Sequence, residues 1–404
     1  MRWLFVAALF AASAAQGQAL TSSTATVAPV AVFAPPRLIP IMPPTPPPPP
    51  PVLELRLRLA ATLLDHGLPK HSNTVGRSHL GTLVTPTLFW RPHRAVDVEA
   101  GAIVRLPMSL DFEEDLGALP VLTLTARPIA ALDLAVRLGS IGPLHGFHPA
   151  LVHENRLAYG RDVAEAYDRP LAIGGKRAIE GDPRLPMEHG VQVNLQTRWL
   201  SADAFLDWQL LETEAHREKF AVGVLITGGI RRLTLSGQLY LDHYGGERYT
   251  ASDPVRRAGL DPTRQDLALA AILRGRPLDL PPIAIDLVAS AIGARPTLAG
   301  TFRGGLEIGA DALLFDAITL GWRWWRVLDG TAGDLSEAGD PTFRQRETQR
   351  VSIALHQILG PLELTSRVDV VLPNDVDAVQ YEVSTLALLH WEWPIPLSPE
   401  PCFE

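Results

Sequence analysis

The fold is decided by a pattern that residues 95–107 show most clearly, AVDVEAGAIVRLP. Val96, Val98 and Val104 fall on one face of an extended chain, while Asp97 and Glu99 fall on the other. Because side chains in a strand point alternately to opposite faces, this pattern predicts a strand between an apolar and a polar medium. Strands of a soluble sandwich alternate too, but they usually run about five or six residues. Segments of about ten residues match a tilted strand that spans an outer membrane.

The same pattern recurs along the chain without helical segments between its copies. We predict about sixteen strands, an even number as in single-chain bacterial barrels. They are placed at 53–64, 80–91, 95–107, 119–127, 131–139, 189–199, 202–211, 217–227, 230–242, 265–274, 282–292, 301–312, 314–326, 347–358, 362–372 and 379–393. The predicted fold class is therefore all-β, a closed antiparallel transmembrane β-barrel over residues 52–393 with a Pro-rich N-terminal extension.

The connections between these strands fall into two kinds. Tight turns follow strands two, four, six and eight, at 92–94, 128–130, 200–201 and 228–229. Long polar stretches follow strands three, five, nine and thirteen, at 108–118, 140–188, 243–264 and 327–346. Short turns on one side and long loops on the other are typical of outer-membrane barrels, whose long loops lie outside the cell. We therefore expect both termini of the barrel on the periplasmic side, in the outer membrane of a diderm bacterium.

The N-terminal region differs from the barrel in composition. Arg2, the apolar run 3–12 and the small residues near position 17 predict a secretory signal peptide over 1–19. Residues 20–51 form a Pro-rich segment with an unbroken run from Pro46 to Pro51, which favours an extended polyproline II conformation. We interpret it as a stiff periplasmic linker, or alternatively as a docking strip for a periplasmic protein or cell-wall partner. Residues 394–404 are interpreted as a C-terminal tail.

Charge and cysteine content exclude two other classes of protein. Thirty-six Lys and Arg residues against forty-four Asp and Glu give a formal charge of −8, which argues against nucleic acid as a partner. Cys402 is the single cysteine, so an intrachain disulfide framework is impossible.

The polar face of each predicted strand is expected to line the barrel interior. A charge that faces lipid at mid-depth costs about 2–4 kcal/mol, so charged side chains should point inward. The candidate pore-lining residues are Asp97, Glu99, Arg105, Asp133, Arg137, Gln192, Asn194, Arg198, Asp207, Lys219, Arg232, Gln238, Asp286, Arg303, Glu307, Glu363, Arg367 and Asp369. Their signs are mixed, which predicts weak selectivity by charge.

Tryptophans cluster near the predicted strand ends, as in the aromatic girdles of membrane proteins. The candidate girdle residues are Trp90, Trp199, Trp391 and Trp393 on the short-turn side, and Trp208, Trp322 and Trp324 on the long-loop side. Trp325 is also placed in the long-loop girdle. Alternatively, Trp324 and Trp325 could stack on a sugar ring.

The longest connection, 140–188, is expected to be functional, because long segments without secondary structure inside a domain usually are. Folding inward as a constriction is one interpretation. His145, His148, His153 and Glu154 could bind a metal, but their spacing matches no catalytic zinc pattern, and we predict none. The chain has no Gly-rich phosphate loop and no Gly-x-Ser-x-Gly elbow, so we predict neither an enzyme nor a cofactor.

The signal peptide, the alternating strands, the short turns and the dominant third long loop together resemble bacterial outer-membrane porin-type barrels. This resemblance implies a lipid bilayer as surroundings and a channel for small polar solutes. Two other hypotheses stay open. One is a barrel that serves an export or assembly machine, for example for polysaccharide, and the other is a secreted all-β binding protein.

Overall fold

The computed structural model describes residues 52–67, 77–107, 117–129, 132–141, 146–152, 188–210, 219–244, 264–295, 302–328, 341–374 and 379–395. These residues form a closed barrel of sixteen strands. The strands are β1 Val52–Gly67, β2 Arg77–His93, β3 Val96–Pro107, β4 Gly117–Ala126, β5 Asp133–Ile141, β6 Glu188–Gln196, β7 Leu200–Leu210, β8 Lys219–Ile230, β9 Leu233–Tyr244, β10 Arg264–Leu280, β11 Ile283–Arg295, β12 Arg303–Leu314, β13 Ile318–Val327, β14 Glu347–Leu359, β15 Leu362–Pro373 and β16 Gln380–Pro394.

Closure of the barrel is made by the first and last strands. β1 pairs in antiparallel register with β2, where Val52 lies opposite Arg91, and with β16, where Glu54 lies opposite Pro394. Each remaining strand pairs with its neighbours in the sequence. A closed ladder leaves no unpaired strand edge, which a barrel inside a bilayer requires. The prediction of a sixteen-stranded closed barrel is therefore confirmed.

Strand ends differ from the prediction by a few residues. β10 continues to Leu280, six residues beyond its predicted end, because a bulge between Gly275 and Leu278 bends the strand without ending it. β6 stops at Gln196 instead of 199. The predicted signal peptide 1–19, the Pro-rich segment 20–51 and the tail beyond residue 395 lie outside the described residues.

Connection length alternates around the whole barrel. Every even-numbered strand joins the next through a short turn, as at 94–95, 231–232 and 360–361. The longest connections, 142–187, 245–263 and 328–346, all follow odd-numbered strands. Because neighbouring strands are antiparallel, the long connections share one end of the barrel and the short turns share the other.

The barrel wall is apolar outside and polar inside. Large apolar side chains such as Leu88, Leu122 and Leu287 are exposed on the outer face, while Thr87, Gln238 and Asp286 are buried on the inner face. A soluble protein has the reverse arrangement. The outer face suits the hydrocarbon of a bilayer, so the chain is an outer-membrane β-barrel with porin-type architecture. No helix among the described residues is long and apolar enough to cross a membrane.

Candidate functional site

Ion pairs line the inner face toward the short-turn end. The carboxylate of Asp97 accepts hydrogen bonds from the guanidinium groups of both Arg91 and Arg127. On the neighbouring part of the wall, Oε1 of Glu99 accepts a hydrogen bond from the Thr87 hydroxyl at 2.7 Å, and Nη2 of Arg58 lies 3.0 Å from the same oxygen. Alternation places five of these six side chains on one face of β1–β3, and Arg127 directly follows β4 in phase with its inner face, so that the charges meet across strands.

A second polar group joins β5, β6 and β7. Arg137 donates to Oε1 of Gln192 at 2.8 Å and also to Asn194. Nε2 of Gln192 in turn donates to Asp203 at 2.9 Å. These contacts connect side chains of three strands on the inner face.

The charges of β10–β13 form a third group. Arg276 makes two hydrogen bonds to Asp286, at 2.7 and 3.0 Å. Nη2 of Arg323 donates to Asp311 at 2.6 Å, and its Nε lies 3.7 Å from Glu307. Two-point contacts of this kind fix the orientation of a guanidinium group, so this part of the wall is ordered by charge as well as by the strand ladder.

Residues 146–152 of the connection between β5 and β6 lie inside the barrel, and we call them the inner segment. The backbone N–H of His148 donates to Oε1 of Gln238 on β9 at 2.6 Å. Nδ1 of the same imidazole accepts from the N–H of Ala150 at 3.1 Å, so in the neutral ring Nε2 carries the hydrogen and donates to Glu307 on β12, also at 3.1 Å. One residue thus ties the segment to two strands.

Small residues on the wall make room for the inner segment. Its buried members Ala150, Leu151 and Val152 belong to one apolar cluster with the wall residues Ala221, Ala268, Ala270 and Ala294. Short side chains let a second layer of chain lie close against a sheet at interior packing density. The segment is therefore packed against β8–β11 along the inner wall.

A glycine and two aromatic rings complete this packing. Phe147 contacts the rings of Phe205 and Tyr240 edge to face, at 5.9 and 6.0 Å between centroids. A Cβ added at Gly223 would lie 2.1 Å from the Phe205 ring and 2.8 Å from the Phe147 ring. Only glycine fits there without displacing both rings.

The connection between β13 and β14 also reaches the inner segment. Its short 3-10 helix, Pro341–Arg344, buries Phe343, whose ring lies 5.4 Å from that of His148 and 5.3 Å from that of Trp325. Trp325 is buried inside the barrel and donates from Nε1 to the carbonyl of Gln345. Its placement in the outer girdle was wrong, because adjacent strand residues face opposite sides and Trp324 faces outward.

The predicted pore-lining residues divide into four groups. The structure places these on the inner face: Asp97, Glu99, Arg137, Gln192, Asn194, Asp207, Gln238, Asp286, Glu307, Glu363, Arg367 and Asp369. Asp133 and Arg303 are the first residues of β5 and β12, in phase with inner-face residues. Arg105 and Lys219 belong to β3 and β8, but their side chains lie outside the described residues.

Two predicted pore-lining arginines lie elsewhere. Arg198 is exposed in the turn after β6, with its guanidinium carbon 4.7 Å from the Trp199 ring centroid. Arg232 is exposed in the turn before β9 and donates to the carbonyl of Pro277 at 3.4 Å. Both positions have the correct phase for the inner face, but β6 ends two residues before Arg198 and β9 begins one residue after Arg232.

Several inner-face residues lie outside the predicted pore-lining set: Glu54, Arg56, Arg58, Arg91, Arg274, Arg276, Arg323 and His356. The alternation LELRLRL over 53–59 carries the signal for Glu54, Arg56 and Arg58. Arg276 needed the longer β10, which a bulge conceals from a period-two pattern.

Girdle candidates are found on the outer face of the barrel. Trp90, Trp199, Trp208, Trp322, Trp391 and Trp393 are exposed, and Trp324 is half-buried and donates to Glu347 at 2.8 Å. Trp391 and Trp393 stack with their centroids 5.3 Å apart. Their place in the bilayer interface stays a prediction.

Metal ligation was considered at the histidines of the longest connection. Of that set only His148 lies among the described residues, where its imidazole contacts Ala150 and Glu307. The described ranges contain no group of three or more His, Cys, Asp or Glu side chains that could hold a metal ion.

Comparison with known proteins gives three findings. A family model described as lipid A 3'-O-deacylase-type matches residues 179–259. No curated protein matches the chain. Among solved structures the chain is similar to OpdL of Pseudomonas aeruginosa, with 10% identity and a TM-score of 0.46 over 85% of this chain and 99% of that one. It is also similar to OprB of Pseudomonas putida, with 9% identity and a TM-score of 0.45 over 85% and 94% of the two chains.

The stretch matched by the deacylase-type model includes β6–β9. His243 lies on its outer face and stacks on Phe220 at 4.6 Å, beside Trp208. In the strand register His243 pairs with Phe220 and Gln265.

Proposed function

We propose that the protein is an outer-membrane channel for small polar solutes. The observation that carries this proposal is the charged, hydrogen-bonded inner face of a closed barrel with an apolar outer face. A barrel of sixteen strands is wider inside than side chains alone can fill. Water and dissolved solutes are the natural content of a polar interior of this size.

The inner segment supports a constriction within this channel. It lies against β8–β11 and is tied through His148 to Gln238 and Glu307, so it takes up part of the cross-section. Phe343 adds a second layer from another connection. We propose that solutes pass along the part of the wall that the inner segment leaves uncovered, with selectivity by charge that is weak because both signs line the wall.

The test is conductance of purified protein in planar bilayers, with two deletions that separate the roles of the long connection. Removing 145–185 takes away the inner segment, and we expect a larger single-channel conductance. Removing 158–178 keeps 146–152, and fourteen residues remain to bridge Val152 and Glu188, about 46 Å when extended. We expect nearly wild-type conductance from this shorter deletion, and silence from folded wild-type protein would contradict the channel.

The export hypothesis is the second candidate, and it rests on the Pro-rich segment 20–51. A stiff polyproline II spacer could hold a periplasmic partner or the cell wall at a distance from the barrel. Folded protein that stays silent in bilayers but retains a periplasmic partner through 20–51 would favour it. The exposed apolar outer face argues against a secreted protein without membrane contact.

A further inference from the structure

The inner-face ion pairs are not symmetric toward water. The Arg58 side chain is 43% exposed and its partner Glu99 15%, Arg127 is 33% exposed and its partner Asp97 5%. Arg323 is 20% exposed and its partner Asp311 6%. The pairs Arg276–Asp286 and Arg367–Asp369 have the same order. In each pair the arginine faces the interior of the barrel more than the carboxylate does.

Side-chain length explains this order. The carboxylate of an aspartate stays close to its own strand, whereas an arginine has three methylene groups before its guanidinium. An arginine on the same strand or a nearby one therefore covers the acid and extends beyond it. The negative charge is held against the wall, and the positive charge lies nearer to the water.

Acidic side chains that are the more exposed partner lie at the short-turn rim. Glu392 and Asp279 are more exposed than their partners Arg56 and Arg276, and Glu54 is slightly more exposed than Arg56. Each is the second or third residue from the short-turn end of its strand. In the five arginine–carboxylate pairs named first, the more exposed partner is the positively charged one.

The ion pair beside the inner segment shows the same difference in exposure between arginine and carboxylate. Arg323 bonds Asp311 and lies beside Glu307, the carboxylate that also holds His148. The inner segment lies against β8–β11, and its contacts reach β7 through Phe205 and β12 through Glu307. Arg58 lies on β1, outside this stretch of the wall. Residues 153–187 contain six acidic and six basic residues, so their formal charges sum to zero.

We infer that the channel interior prefers anions, and that its solutes carry a carboxylate or a phosphate group. This inference rests on the proposed channel function and gives the sign of its selectivity. Guanidinium groups bind both anion types through paired N–H donors, and a low-dielectric wall strengthens the field of charges along a pore.

The experiment is the zero-current potential of single channels in a tenfold KCl gradient. At low ionic strength we expect chloride to be favoured over potassium about threefold, the effect of roughly one unit charge about 6 Å from the ion in water. Arg58→Gln and Arg127→Gln should each reduce this preference, while Arg58→Lys should keep it. The matched control is Arg198→Gln, which removes an arginine outside the interior and should leave the potential unchanged.

The outcomes separate the inference from the channel itself. Conducting wild-type protein that prefers potassium would overturn the inference alone, as would Arg58→Gln and Arg127→Gln variants with unchanged potentials. Folded protein that does not conduct would overturn the channel and the inference together. Potassium malonate and potassium phosphate in place of KCl then distinguish carboxylate from phosphate solutes by which anion blocks or carries current.

Discussion

Nε2 of His148 lies 3.1 Å from Oε1 of Glu307, although 159 positions separate the two residues in the sequence. His148 follows β5 and Glu307 lies on β12, so the contact joins strands nearly halfway around the barrel. Both side chains are buried, where a hydrogen bond to a charged group stabilises more than it does in water. This pair is the main polar anchor of the inner segment.

His148→Ala should loosen the inner segment. A hydrogen bond to a charged group contributes about 1.5–3 kcal/mol, so the population of the released segment should rise about tenfold to a hundredfold. We expect a larger mean conductance and more open-channel noise in bilayer recordings.

His356→Ala is the control for this change. His356 bonds Glu363 at 2.9 Å near the short turn between β14 and β15, away from the inner segment. Its removal should leave noise and mean conductance close to wild type. If both variants behave alike, the inner segment is not held by His148.

Gly305→Ala should destabilise the barrel. A Cβ at this position would lie 2.0 Å from the Trp325 ring, which contacts Phe343. Overpacking of this kind costs about 1–3 kcal/mol. Urea titration followed by heat-modifiable gel mobility measures the free energy of unfolding.

Gly237→Ala is the matched substitution on β9, where an added Cβ meets nothing within 4 Å. Its free energy of unfolding should be unchanged or higher by up to about 1 kcal/mol, because glycine is costly in a strand interior. Equal losses for both glycines would show that Trp325 does not pack as described.

Ile353→Arg tests the lipid-facing surface. Ile353 lies in the middle of β14 on the outer face and is exposed, so an arginine there should cost about 2–4 kcal/mol in a bilayer. Leu359→Arg, at the short-turn end of the same strand, should cost about 0–1 kcal/mol. Folding titrations into lipid vesicles compare the two, and similar values would place β14 outside the bilayer.

Topology can be tested by labelling a single cysteine in a Cys402→Ser background. A membrane-impermeant maleimide should label Thr250→Cys on intact cells, because the connection 245–263 follows an odd-numbered strand. Arg94→Cys, in the turn between β2 and β3, should be labelled only after the outer membrane is permeabilised. The reverse result would mean that the long connections face the periplasm.

Strand number, strand order and the two faces of the wall could be predicted from the sequence, because alternation has a period of two and is read within each strand. Residues 95–107 show this, since Asp97 and Glu99 face inward as predicted and Val98 and Val104 do not. The same rule would have placed Trp325 correctly, because Trp324 and Trp325 are adjacent and must face opposite sides.

What the sequence determined by itself is therefore the sixteen-stranded barrel, with its short turns on one side and its long connections on the other. Only the tertiary structure decided that residues 146–152 enter the barrel, that Arg323 connects Asp311 to the surroundings of Glu307, and that Arg198 and Arg232 leave the inner face. The physical reason is the separation along the chain between the residues that interact. Alternation depends on neighbouring residues, whereas these contacts depend on strand ends, bulges and the closure of the barrel, which bring distant residues together.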